Sequence, residues 1–184
     1  MPLITLQYTR VKTYWKSLRG SYWGSLAFDV LLIILAFALV HAWQTRGLPD
    51  DEQTPPLELA WLDDMRADSV SVPGQVGVVY FFAPWCYYCR HSIDNLDELV
   101  REGKLSWARV VALDYATLDE VRDFINETGV NLPVLLGGPK TSLDWQIRAF
   151  PTYFVIDGEG KISSRSVGYS TSIGLRARVW LSGK

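Results

Sequence analysis

Three patterns of apolar and polar positions run along this chain, and each predicts a different structure. The first is a block. Val30-Leu-Leu-Ile-Ile-Leu-Ala-Phe-Ala-Leu-Val40 is unbroken hydrocarbon, and Asp29 is the only charge between Leu26 and Val40. A helix that is apolar all round has no face to offer water, so the block predicts a membrane span at residues 24–43. Tyr22 and Trp23 at one end and Trp43 at the other stand about 20 residues apart, which crosses a core of ~30 Å at ~1.5 Å per residue. A cleaved signal peptide is the competing reading, because Ala36-Phe-Ala38 and Val40-His-Ala42 place small residues at cleavage-like spacing. The long preceding region and the length of the apolar run favour the anchor. A buried core helix is disfavoured, since no second helix of this character is there to pack against it. Asp29 and His41 lie near the ends of the span and read as interfacial groups. Residues 44–56 mix proline, glycine and acids without periodicity and predict a solvated linker, with a domain beginning near Leu57.

The other two patterns alternate through that domain, 57–184. Gly77-Val-Val-Tyr-Phe-Phe-Ala83 is too short for a helix and rich in branched and aromatic residues, which predicts a buried central strand. Ile93, Leu96, Leu99 and Val100 then recur at helical spacing opposite Asp94, Asn95, Asp97, Glu98 and Arg101, predicting an amphipathic helix from about Cys86 to Glu102. Ser106 to Asp114 is a further strand. Thr117-Leu-Asp-Glu120 is a capping box that opens a helix with Gly129 as its stop. A short strand from Pro133 to Leu136, a helical turn over about Ser142–Ile147 and a strand from Pro151 to Asp157 follow. Asp157-Gly-Glu-Gly160 turns the chain into an antiparallel partner, Lys161 to Gly168, before a last helix from about Thr171 to Leu181. The order β-α-β-α predicts an α/β domain with helices on both faces of a central mixed sheet.

Charge adds an orientation. The net charge is −2, yet residues 1–28 hold Arg10, Lys12, Lys16 and Arg19 and no acid; without those four and Asp29, 14 basic and 19 acidic residues remain. A basic stripe suited to nucleic acid is therefore missing from the domain, and nucleic-acid binding is not expected. The cations precede the span, whereas Arg46 alone follows it before Asp50, Asp51 and Glu52. The positive-inside rule then places residues 1–23 in the cytoplasm and the domain outside.

The candidate chemistry is a pair of thiols. The chain has two cysteines, in Trp85-Cys86-Tyr-Tyr-Cys89, where a strand passes into a helix. Cys86 would stand at the helix N-terminus, where unpaired N–H groups and the macrodipole favour an anion and lower a thiol from ~8.5 towards neutrality. That makes Cys86 the expected nucleophile and Cys89, one turn on, the resolving thiol of a redox-active disulfide. Zinc is a weaker reading, because Cys86, Cys89 and His91 supply three ligands where a closed site needs four. A purely structural disulfide is weaker too, since so short a loop returns little entropy. His91 is expected to face solvent. Exchange of this kind needs no cofactor and no metal, and none is expected.

Phe81-Phe-Ala-Pro-Trp-Cys-Tyr-Tyr-Cys89, the Phe150-Pro151-Thr152 step and the turn Ile156-Asp-Gly-Glu-Gly-Lys-Ile162 together resemble the thioredoxin superfamily. More narrowly, they resemble its membrane-tethered TlpA-type branch, which includes the suppressor-of-copper-sensitivity protein D and the cytochrome c maturation reductases. The resemblance spans about residues 70–182. It implies a thioredoxin-like fold, a cis Pro151 against the Cys86 sulfur, a Phe150 backbone that pairs with an extended substrate segment, and Trp85, Tyr87 and Tyr88 as neighbours of the reacting sulfurs. The 65 positions from Cys86 to Pro151 exceed a minimal thioredoxin and resemble the TlpA-type insertion. Tyr80 stands where thioredoxins carry a buried Asp. The leading expectation is a bacterial inner-membrane, single-pass, periplasm-facing reductase of protein disulfides that a membrane thiol reductase recharges. The rivals are a disulfide-donating oxidase and a copper-binding or assembly factor that uses the same thiols for Cu(I).

Overall fold

A computed structural model describes residues 22–49, 54–55, 59–62, 67–68 and 72–183. The four N-terminal cations, most of the expected cytoplasmic segment, residues 50–53 and 56 of the expected linker, and residues 57–58 of the expected domain lie outside them. The described chain divides into two compact units, one ending at Gln44 and one running from Thr45 to Lys184.

The first unit holds the helix α1 (Tyr22–Gln44). From Gly24 to Gln44 it is long and apolar enough to cross a membrane, and Asp29 through Gln44 are exposed on every side. At ~1.5 Å per residue its 23 residues reach beyond a ~30 Å hydrocarbon core.

Among the described residues, the second unit is built on a seven-stranded mixed sheet in the order β2-β1-β5-β4-β3-β6-β7. Its strands are β1 (Leu59–Trp61), β2 (Ala67–Asp68), β3 (Gly77–Phe82), β4 (Trp107–Ala112), β5 (Val134–Leu136), β6 (Thr152–Ile156) and β7 (Ile162–Val167). Its helices are α2 (Tyr87–Arg101), α3 (Leu118–Thr128), α4 (Pro139–Asp144) and α5 (Ser172–Ser182). Strands β3, β4 and β5 run parallel, while β6 and β7 on one side and β1 and β2 on the other add antiparallel edges. This is the thioredoxin-like architecture expected from the sequence.

All six residues of the central β3 are buried, and successive side chains point to opposite faces. Val78, Tyr80 and Phe82 join one core with Ile93, Leu96 and Leu99 of α2, Val121 and Phe124 of α3, and Leu175 of α5. Val79 and Phe81 join a second core with Trp145, Phe154 and Ile156. The crossovers β3-α2-β4 and β4-α3-β5 step across the sheet in the same direction, so a uniform crossover hand sets α2 and α3 on the same face. The opposite face is covered by Trp145, which directly follows α4.

Local chemistry sets the helix ends. The Thr117 hydroxyl accepts from the Glu120 amide, the Glu120 carboxylate accepts from the Ala116 amide, and Gly129 closes α3 at φ 66°. Residues 142–147, expected as a helical turn, instead straddle the end of α4. The helix begins three residues earlier because Pro139 suits its first turn and Thr141 Oγ1 accepts from the Gly138 amide. It stops before Gln146, whose φ of 51° lies in the left-handed region.

Two features differ from the expected layout. Strands β1 and β2 extend the sheet beyond β5, and no strand is expected in 57–76 from the sequence; runs of three and two residues are too short to show a period. Inside the expected linker, Leu48 is buried in the second core and its carbonyl accepts from Arg165 Nη1 at 2.8 Å. The Thr54 amide donates to the Gly160 carbonyl. The chain therefore joins the compact unit ahead of Leu57, with Thr45, Leu48 and Pro49 all buried.

Candidate active site

Cys86 is the N-cap of α2. Its backbone is extended, at φ −78° and ψ 111°, and its sulfur accepts from the Cys89 amide at 3.1 Å. That amide is one of the donors a helix start leaves unpaired. Cys86 and Cys89 are joined as a disulfide with Cα atoms 5.3 Å apart. Cys89 is fully buried, while Cys86 keeps a small exposed surface.

Behind the pair, the Tyr80 hydroxyl of β3 lies 2.5 Å from Ser92 Oγ of α2 and donates more weakly, at 3.4 Å, to the Cys89 carbonyl. Burial pushes the Tyr80 phenol far above its usual value, against the lowering effect of the Ser92 hydrogen bond. The group is a neutral hydroxyl throughout the ordinary pH range.

In front of the pair, Trp85, Tyr87 and Tyr88 are each more than 60 % exposed, at 63 %, 65 % and 62 %. Tyr87 packs edge-on against both Tyr88 and His91, and His91 faces solvent. Trp85 is fixed at both ends. Its Nε1 donates to the carbonyl and to Oδ2 of Asp114, both at 3.1 Å, and its ring meets Phe150 edge-on at 5.8 Å between centroids. The Phe150–Pro151 bond is cis. Phe81 pairs with Thr152 across β3 and β6, so continuing the register sets Pro151 opposite Phe82, four residues before Cys86. The fold thus gathers Trp85, Cys86, Tyr87, Tyr88, Cys89, Phe150 and Pro151 at one end of the sheet.

Three partners of this arrangement were not singled out from the sequence. Asp114 holds Trp85 from the β4–α3 turn at φ 51°. Ser92 holds Tyr80. Arg90 donates from Nη2 to the Pro84 carbonyl at 3.0 Å and pairs with Glu127 of α3, which ties the turn before Cys86 to the next helix. Ser92 lies three residues after Cys89, and that helical spacing is the one signal that points to it. On the far side of Phe150, Leu113, Asp114, Tyr115, Ile147 and Arg148 line an open pocket of about 570 Å³.

Compared with known proteins, residues 51–165 match the AhpC/TSA family. The chain belongs to that family. Thiol:disulfide interchange protein DsbE of Allochromatium vinosum is 31% identical over 160 residues, covering 82% of this chain and 84% of the relative. Thiol-disulfide oxidoreductase ResA of Bacillus anthracis is 24% identical over 155 residues, covering 79% of this chain and 90% of the relative. Among solved structures, a putative thiol:disulfide interchange protein DsbE from Chlorobium tepidum superposes with a TM-score of 0.62 at 22% identity, covering 74% of this chain and 99% of that one. The last likeness is one of fold. With the Cys-x-x-Cys disulfide at a helix start, these relatives make this AhpC/TSA chain a thioredoxin-like thiol-disulfide oxidoreductase.

Proposed function

We propose that this chain is a membrane-anchored reductase of protein disulfides whose nucleophile is Cys86 and whose resolving thiol is Cys89. The observation that carries this assignment is the Cys86 sulfur at the α2 N-cap, accepting the Cys89 amide at 3.1 Å. Hydrogen bonding and the helix dipole both favour the thiolate there. In the reduced enzyme, the Cys86 thiolate attacks one sulfur of a substrate disulfide. That S–S bond breaks, and the departing substrate sulfur takes up a proton. The Cys89 thiol then gives up its proton and forms a bond to the Cys86 sulfur, which releases the second substrate thiol. Two electrons have passed to the substrate, and a membrane thiol reductase returns them to the pair.

Trp85, Tyr87 and Tyr88 form the exposed rim on which a substrate polypeptide rests, and Phe150 and Pro151 supply the adjoining edge. The helix α1 is the anchor. The four cations before it, against Arg46 alone close behind it, support a cytoplasmic N-terminus and a periplasmic catalytic unit in a bacterial inner membrane.

Replacing the resolving thiol tests the division of labour. Full-length Cys89→Ala, expressed in the membrane, is expected to accumulate mixed disulfides with partner proteins that dithiothreitol releases; Cys86→Ala is expected to form none. Equal trapping by both variants, or by neither, contradicts the assignment.

A further inference from the structure

The pocket beyond Phe150 belongs to no step of the exchange just described. It is continuous with the reacting end of the sheet, because Phe150 walls it and meets Trp85, while Asp114 both lines it and holds the Trp85 indole. Its walls are mainly apolar, from Leu113, Ile147 and Phe150, and Tyr115 and Arg148 also line it. Burial raises the Tyr115 phenol, so the ring is neutral. At about 570 Å³, it falls within the ~300–1,000 Å³ of pockets that bury most of a small ligand.

We propose that this pocket selects substrates by taking an aromatic side chain of the substrate polypeptide close in sequence to the attacked cysteine. The inference rests on the exchange assigned to Cys86 and Cys89. An extended chain advances ~3.3–3.6 Å per residue, so a residue within a few positions of the cysteine reaches from the sulfurs past Phe150. An aromatic ring suits the walls because two of the lining residues, Phe150 and Tyr115, are themselves aromatic and rings pack favourably on one another.

Gly138 supplies a direct intervention. It lines the pocket, and a Cβ built on it meets no atom within 4 Å. Its φ of −134° suits any residue. Gly138→Leu therefore adds a side chain beside the pocket without backbone strain.

The test uses full-length reduced protein in detergent and short peptides whose single cysteine carries thionitrobenzoate, with Phe or Ala placed in turn at each of the three positions on either side. Bare dithiobis-nitrobenzoate measures exchange alone. The wild-type chain is expected to release chromophore roughly 10-fold faster from at least one Phe peptide than from its Ala counterpart, the scale at which one apolar pocket discriminates. In Gly138→Leu that ratio is expected to fall to near one. Because the readout is a ratio, a general loss of activity cancels, and the wild-type ratios stand if the variant does not fold. Exchange with the bare reagent but no Phe preference at any position overturns the pocket and leaves the exchange assignment intact. A Phe preference that Gly138→Leu keeps in full places the selectivity elsewhere and also overturns it. No exchange with either reagent overturns both.

Discussion

Cys86 and Cys89 sit three residues apart in surroundings that favour different protonation states. The Cys86 sulfur meets a helix-start amide, whereas Cys89 is buried near the Tyr80 and Ser92 hydroxyls. Desolvation disfavours a charge on Cys89, and the hydrogen bond at Cys86 favours one there. Tyr80 is a hydrogen-bonding group and not a base, because burial raises its phenol above the usual value. With the folded value above the unfolded one, the stability linked to Tyr80 is complete below pH ~10 and is lost as pH rises past it. Tyr80→Phe removes the 2.5 Å bond to Ser92 and is expected to lower stability by about 1 kcal/mol, read as a shift in urea midpoint. The phenolate absorbance titration of the folded variant is expected to overlay that of the wild type until alkaline unfolding begins. A titrating group lost from the folded curve near pH ~10 contradicts the burial argument.

At the scale of elements, the end of the active-site helix is tied to the last helix through one carboxylate. Glu102, the C-cap of α2, pairs with Lys104 at 2.8 Å and with Arg176 of α5. The Lys104 hydrogen bond, aided by the Arg176 charge, holds its carboxyl below the usual range despite some desolvation. A depressed folded value gives stability that is present above the unfolded pKa of ~4.3 and lost as pH falls through the folded one. Glu102→Gln is expected to lower the urea midpoint slightly at pH 7, in a salt-sensitive way, and to match the wild type in acid once Glu102 is protonated. A difference that persists unchanged in acid contradicts this pairing. Elements whose ends rest on local chemistry were legible in the sequence: β3 by its apolar run, α3 by Thr117 and Gly129, α2 by its amphipathic repeat. Those that rest on distant partners were not. Strands β1 and β2 exist because β5 offers an edge, Leu48 docks because a core lies open to it, and α4 starts at Pro139 where periodicity over six residues has nothing to average.

For the whole molecule, the apolar helix and the catalytic unit were readable because each carries its own pattern, and the disulfide because the chain has no other cysteine pair to choose. The supports of the site were not. Asp114 lies 29 residues from the Trp85 that it holds, and the pocket gathers residues from Leu113, Gly138, Ile147 and Phe150 that share no local motif. What the assembled site does depends on which redox state of the pair the protein stabilises, since the same exchange run backwards makes an oxidant. The helix N-cap stabilises the thiolate and so by itself favours the reduced form; the donor-linked reductase proposed above requires that this preference stay modest. The reduction potential of Cys86–Cys89 tests that claim most directly, measured on the full-length chain in detergent by equilibration with glutathione mixtures. A value at or below about −200 mV is expected of a reductase, and a value near −120 mV, that of a strong dithiol oxidant, contradicts it.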